Sequence, residues 1–155
     1  MEYTKEYYVE MHRKMWNIIY ELIKEEIKDF TDKEKKEYID DIRLEFIYDM
    51  KVKALAKMFD EKYELPDSKV MEEKYHYCFA CLYAFSKENV NAKKNRLKGG
   101  KYCKSCPLKW EKSNRETFQC CGAQYGDIEH LNFSSIDNLL KLVKEIAELP
   151  VQEDV

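Results

Sequence analysis

Four cysteines stand in two pairs, Cys78-Phe79-Ala80-Cys81 and Cys103-Lys104-Ser105-Cys106, with 21 residues between them. A two-residue gap lets both sulfurs of a pair turn toward one cation. Two such pairs supply the closed tetrahedral thiolate shell that structural zinc prefers. The expected cofactor is therefore one structural Zn²⁺ held by Cys78, Cys81, Cys103 and Cys106. Full thiolate coordination leaves no position for a reactive water, so a hydrolytic zinc is not expected. The zinc deaminases need a histidine with a nearby glutamate and a proline just before the second cysteine pair. Here Pro107 follows the pair and His76 has no such glutamate after it. A thioredoxin-like redox role needs a single CxxC beside a βαβ pattern, and two pairs set among helical patterns do not offer that.

Two further cysteines, Cys120-Cys121, precede Gly122, with His130 nine residues after the second. They admit two readings: a replacement or second metal site formed with His130, or small buried side chains, the latter being favoured. His12 lies one turn from Met15 and Trp16, near the apolar face of the first helical pattern, and reads as packing or rim rather than as a ligand. The chain has no phosphate-cradling glycine loop and no nucleophile elbow, so catalysis is not expected.

Charge is distributed unevenly. The net charge is −3, but residues 1–75 carry 20 acidic and 15 basic side chains, residues 76–115 carry 2 and 10, and residues 116–155 carry 8 and 2. The balances are −5, +8 and −6. A zinc ion with four thiolates contributes −2, so the cysteine segment remains strongly basic between two acidic flanks, with one preferred face for anions. Three readings of it stand side by side. In the first, Lys93, Lys94, Arg96, Lys98, Lys101, Lys104, Lys109, Lys112 and Arg115 contact phosphates, while Tyr102, Trp110 or Phe118 stacks on an exposed base. In the second, the patch meets an acidic protein surface or an anionic nucleotide. In the third, it is a solvated loop in a chain already rich in lysine.

The elements that must position these residues are helical. Met11, Met15, Ile19, Leu22, Ile23 and Ile27 recur every three or four positions, which predicts a long helix over residues 8–27. Thr31-Asp32-Lys33-Glu34 has the form of a capping box, so a second helix should begin there. Its core face would use Tyr38, Ile42, Phe46, Met50, Leu55, Met58 and Phe59, and it should stop near Leu65-Pro66. Residues 3–63 then form an antiparallel helical hairpin. Residues 68–77 are expected to be helical into the first cysteine pair, with Leu82, Tyr83 and Phe85 continuing beyond it. Residues 89–101, poor in apolar side chains, read as an exposed loop. Ile136, Leu139, Leu140, Val143, Ile146 and Ala147 predict a last helix over 137–149, capped by Ser134 or Ser135.

With 155 residues and 45% hydrophobic content, the chain can bury one modest core. The expected fold is mainly α: a helical hairpin over 1–66, a zinc-binding module over 67–126, and a C-terminal helix with an acidic tail over 127–155 packed back on the hairpin, all in one compact unit. The charged start Met1-Glu2-Tyr3-Thr4-Lys5-Glu6 lacks the pattern of a signal peptide, and no apolar run reaches about 18 residues. An intracellular, cytoplasmic location follows as an expectation, and it favours metal ligation over disulfides for the CxxC pairs.

The segments Cys78-Phe79-Ala80-Cys81-Leu82-Tyr83-Ala84 and Cys103-Lys104-Ser105-Cys106-Pro107-Leu108-Lys109-Trp110 resemble small zinc-binding proteins of phages from low-GC Gram-positive bacteria. Their pattern is CFACEYA, then CxxCPLxW, then a further cysteine and a glycine-tyrosine segment, matched here by Cys120 and by Gly122 to Tyr125. The resemblance covers about 50 residues, and the Cys-Pro-Leu-x-Trp continuation is its distinctive part. It implies that Cys78, Cys81, Cys103 and Cys106 are the ligands and that Pro107 and Trp110 pack over the metal. Leu82 departs from the acidic residue of the pattern. No activity is carried over. The expected function is a non-enzymatic regulator contacting nucleic acid through the basic loop, in the host cell if the chain is phage-encoded. Two alternatives remain open. One is a counter-defence inhibitor that masks a host protein or sequesters a nucleotide. The other is a structural subunit dimerising through the seam of its first two helices.

Overall fold

A computed structural model describes residues 4–61, 78–80, 83, 106–109, 125, 127, 128 and 130–153. Four helices lie in these stretches: α1, Lys5–Ile27; α2, Asp32–Asp41; α3, Phe46–Asp60; and α4, Ile136–Ala147. The fold is mainly helical, and among the described residues no helix is long and apolar enough to cross a membrane.

Helix α1 begins where Thr4, in extended backbone, accepts from the Tyr7 N–H at 3.1 Å. It is the central element, packed against both α3 and α4. Its apolar stripe supplies Met11, Met15, Trp16, Ile19 and Ile23, all at most 3% exposed. The Thr31 box is formed as expected: Thr31 accepts from the Glu34 N–H, and Glu34 accepts from the Thr31 N–H, each at 3.2 Å.

The long second helix expected from that box is instead two helices. Ile42 caps α2 in extended backbone, and residues 42–45 turn before α3 starts at Phe46. The cause lies in α2 itself. It ends on Asp40-Asp41 with no basic residue in its last turn, which opposes the negative end of the helix dipole, and none of its residues is buried. Continuation offers it neither favourable charge nor a core. The break also resets the helical phase. Tyr38, Ile42 and Phe46 are only half-buried, and the core face of α3 is Ile47, Met50, Ala54, Leu55 and Met58. Phe59, expected inside, is 48% exposed. The broken segment nevertheless returns along α1. Tyr38 donates to Glu26 at 3.3 Å, the Lys51 ammonium lies 5.8 Å from the centre of the Trp16 ring, and Lys14 pairs with Glu61 at 3.2 Å. These contacts descend α1 as the chain ascends, which is an antiparallel course. The expected stop at Leu65-Pro66 and the expected helix over residues 68–77 lie outside the described residues.

Helix α4 starts at Ser135, whose hydroxyl accepts from the Asn138 N–H at 3.1 Å, while the Asn138 side chain accepts from the Ser134 N–H at 3.3 Å. Its buried face is Ile136, Leu139, Leu142, Val143, Ile146 and Ala147. Leu142 joins that face and Leu140 sits half out of it, because the true period is 3.6 residues. Before α4, Asn132 N–H donates to Asp127 at 2.7 Å and Leu131 N–H donates to Ile128 at 3.2 Å, with Leu131 at φ 59°. These paired bonds, closed by a left-handed residue, form a Schellman C-cap with leucine where glycine is usual.

Candidate metal centre

The described part of the cysteine segment is docked on the helical body. Phe79 and Ala80 are helical and fully buried, and the Tyr83 ring meets that of Tyr8 of α1 at a tilt, with centroids 5.6 Å apart. Cys106 is 5% exposed and belongs to the same core cluster as these residues and α1, and half-buried Cys78 packs against that cluster. One cysteine of each pair is thus seated on a single body. A shared ion requires that of both pairs, and soft thiolate donors suit zinc.

Cys106 is held there by the residues that follow α4. Residues after α4 run antiparallel to the segment following Cys106, with Leu108 opposite Val151. Lys109 N–H donates to Pro150 and Gln152 N–H donates to Pro107, both at 2.8 Å, while the Gln152 side chain donates to the Cys106 carbonyl at 2.7 Å. Helix α1 also fastens this stretch: Arg13 donates to the Leu149 carbonyl at 3.2 Å and Lys5 donates to the Gln152 carbonyl. Pro107 and Leu108 are buried, so the Cys-Pro-Leu continuation serves the core as well as the cysteine.

His12 is 1% exposed, and its Nε2 lies 2.9 Å from the Ile146 carbonyl. A carbonyl only accepts, so Nε2 carries the proton and the lone pair is on Nδ1. The bond has a local cause. Ile146 stands in the last turn of α4, where carbonyls have no i+4 helical donor; the Leu149 N–H reaches it only at 3.4 Å, and His12 donates to it from α1. Burial pushes the His12 pKa down to about 4. The Ile146 carbonyl and nearby Cys78 pull the other way, and the charges of Lys51 and Arg13 add to the depression. The expectation of a packing role holds: His12 is a core histidine that ties α1 to α4.

Sequence reasoning missed Lys51. It is 2% exposed, donates to the Tyr125 hydroxyl at 2.6 Å, and its ammonium lies 4.2 Å from the centre of the Tyr125 ring. Trp16 meets Tyr125 edge-on at 6.0 Å, closing an aromatic box around the cation. The available signal was positional, since Lys51 falls four residues from both Ile47 and Leu55 on the apolar side of α3. Tyr125 belongs to the glycine-tyrosine stretch that follows the last cysteines, so this bond ties that stretch to α3. Tyr125→Phe should leave the ammonium without its hydroxyl acceptor and destabilise the fold by about 2 kcal/mol. Adding Lys51→Met should return most of that loss. Urea denaturation of the two single variants and the double variant measures the coupling; a neutral Tyr125→Phe contradicts it.

Cys81, Cys103, Cys120 and Cys121 lie outside the described residues, as do Lys93, Lys94, Arg96, Lys98, Lys101, Tyr102, Lys104, Trp110, Lys112, Arg115 and Phe118. Of the anion-binding candidates Lys109 is described, and it is exposed beside the Leu108 bridge. His130 is exposed in the Schellman turn. Among the described residues no group of three or more histidine, cysteine or acidic side chains is placed to hold a metal. No family model, curated protein or solved structure matches the chain.

Proposed function

We propose that the chain is a non-enzymatic, zinc-stabilised binding protein of the phage-regulator type. Cys78, Cys81, Cys103 and Cys106 hold one structural Zn²⁺, and the basic segment around the second pair contacts nucleic-acid phosphates. Zinc ligation would fix the two ends of the intervening loop; the protein's own residues do the binding. The observation that carries this reading is the separation of charge: +8 over residues 76–115 against −5 and −6 on either side. Acidic flanks repel a polyanion everywhere except at that segment, which gives the encounter a direction. The seating of Cys106 in the core and of Cys78 against it supports it, since a loop whose ends are fixed to a body loses less entropy on binding than a free tail. The phage resemblance over the two cysteine segments supports the regulatory setting.

The basic loop is tested by replacing Lys93, Lys94, Arg96 and Lys98 together with alanine. Loss of four phosphate contacts should reduce the slope of log affinity against log salt by about 3, with zinc content unchanged. Unchanged affinity and slope would remove the loop as the contact surface and leave an acidic protein or a free nucleotide as the partner.

A further inference from the structure

Gln152 holds two consecutive carbonyls of the cysteine segment: its side-chain amide donates to Cys106 at 2.7 Å and its backbone N–H donates to Pro107 at 2.8 Å. The Lys109 N–H donates to Pro150 at 2.8 Å, and buried Leu108 stands opposite Val151 between these bonds. In an antiparallel pairing of this register Pro107 faces Gln152 and Lys109 faces Pro150, and each such pair would exchange two bonds. Each makes only one, because Pro107 and Pro150 have no N–H. The bridge is therefore half-bonded on both sides of its centre. Helix α1 supplies part of what the prolines withhold: Lys5 donates to the Gln152 carbonyl, to which Pro107 cannot donate, and Arg13 holds the Leu149 carbonyl.

We propose that residues 150–153 form a clasp that keeps Cys106 in its ligating place, and that Gln152 is the positioning residue that closes it. This role rests on the four-thiolate reading and adds to it what governs retention of the metal. Gln152 acts on the backbone of Cys106, so it is not a ligand; it fixes where the sulfur stands. A thiolate that detaches from a shared ion returns to it when its backbone stays in place, and drifts away when its backbone is released. Contacts of this kind, one step beyond the ligands, are worth about 10- to 100-fold in metal affinity. The half-bonded bridge makes the clasp releasable. A segment held by few bonds opens locally, at far less cost than the core helices, so the clasp can open while the helical body stays folded. Its action is confined to one cysteine of the site, since Cys78 is seated by its own packing against the core cluster.

Two rates measured on the full-length chain test it: zinc release from the loaded protein to an excess of a colorimetric chelator, and alkylation of Cys106 in the metal-free protein, read by peptide mass. Gln152→Glu sets a carboxylate against the carbonyl that the amide served. It should speed both rates by about tenfold or more, with one equivalent of zinc still bound at saturation and the alkylation rate of Cys78 unchanged. Gln152→Lys keeps a donor and should return both rates to within a few fold of wild type. Ser135→Ala removes the cap of α4 and lowers stability away from the clasp, so it should leave both rates near wild type. A purely structural Gln152 would instead make the rates follow stability, and Ser135→Ala would speed them as Gln152→Glu does; that result overturns the proposal. A wild type that holds one zinc, with either rate indifferent to Gln152→Glu, overturns the clasp alone. A wild type that holds no zinc overturns the four-thiolate site and the clasp with it.

Discussion

Cys106→Ala and Cys103→Ser should each abolish stoichiometric zinc and lower the unfolding midpoint of the protein by more than about 10 °C. In small zinc modules metal binding and folding are one equilibrium, and apparent binding energies reach about 10 kcal/mol or more at neutral pH. Even a fraction of that suffices, because 1 kcal/mol moves the midpoint of a domain of this size by about 2–4 °C. The loss is not confined to the cysteine segment. Phe79, Ala80, Tyr83, Cys106 and Leu108 share one core with α1, α3 and α4, so a segment released from its metal withdraws side chains from the helical body. Alanine at 106 removes the sulfur without burying a hydroxyl, which separates loss of ligation from a polar penalty in the core. Metal analysis and thermal unfolding, with and without chelator, provide the readout. The wild type should be destabilised by chelator and the variants indifferent to it. One retained equivalent of zinc in either variant, or a wild type indifferent to chelator, contradicts the four-thiolate site.

His12 gives the second large effect, seen in the pH dependence of stability. Burial holds its pKa near 4, against 6.5 in an unfolded chain. Between those values the unfolded state binds a proton that the folded state refuses, so acid favours unfolding. The stability that depends on neutral His12 is fully present above pH 6.5 and declines as pH falls toward 4. The whole interval is worth about 3 kcal/mol. His12→Gln retains an amide donor for the Ile146 carbonyl and does not titrate. Thiolate protonation acts on both proteins, so the difference between their urea-denaturation profiles isolates the histidine. The variant should lose about 2 kcal/mol less than wild type between pH 7 and pH 4.5. Parallel profiles would show that His12 takes its proton without unfolding the protein.

Local rules made much of the scaffold legible. The Met11–Ile27 stripe, the Thr31 capping box and the serine at the head of α4 depend on neighbours within four residues, and the structure keeps all three. The break at residues 42–45 was hidden because neither proline nor glycine marks it. It arises from an unfavourable run of charge at the end of α2 and from the phase that α3 needs to face α1. Buried Lys51 was hidden for a different reason. Its long aliphatic stem suits an apolar face, but its acceptor is Tyr125, 74 residues away, and no local pattern encodes such a partner. The hold of Gln152 on the Cys106 carbonyl is likewise nonlocal. The cysteine spacing located the candidate site; the contacts that seat it on the core are found only in the folded chain.

The central claim is that a metal-stapled basic segment binds nucleic-acid phosphates. Its most direct test is binding of the zinc-loaded protein to short single- and double-stranded DNA and RNA at about 50 and 200 mM salt, an interval over which six to ten phosphate contacts change affinity by about 10³ to 10⁵. The account predicts a steep loss of affinity at the higher salt, made shallower when the loop lysines and arginine are replaced with alanine. Absence of binding to every one of these nucleic acids at both salt concentrations would contradict it.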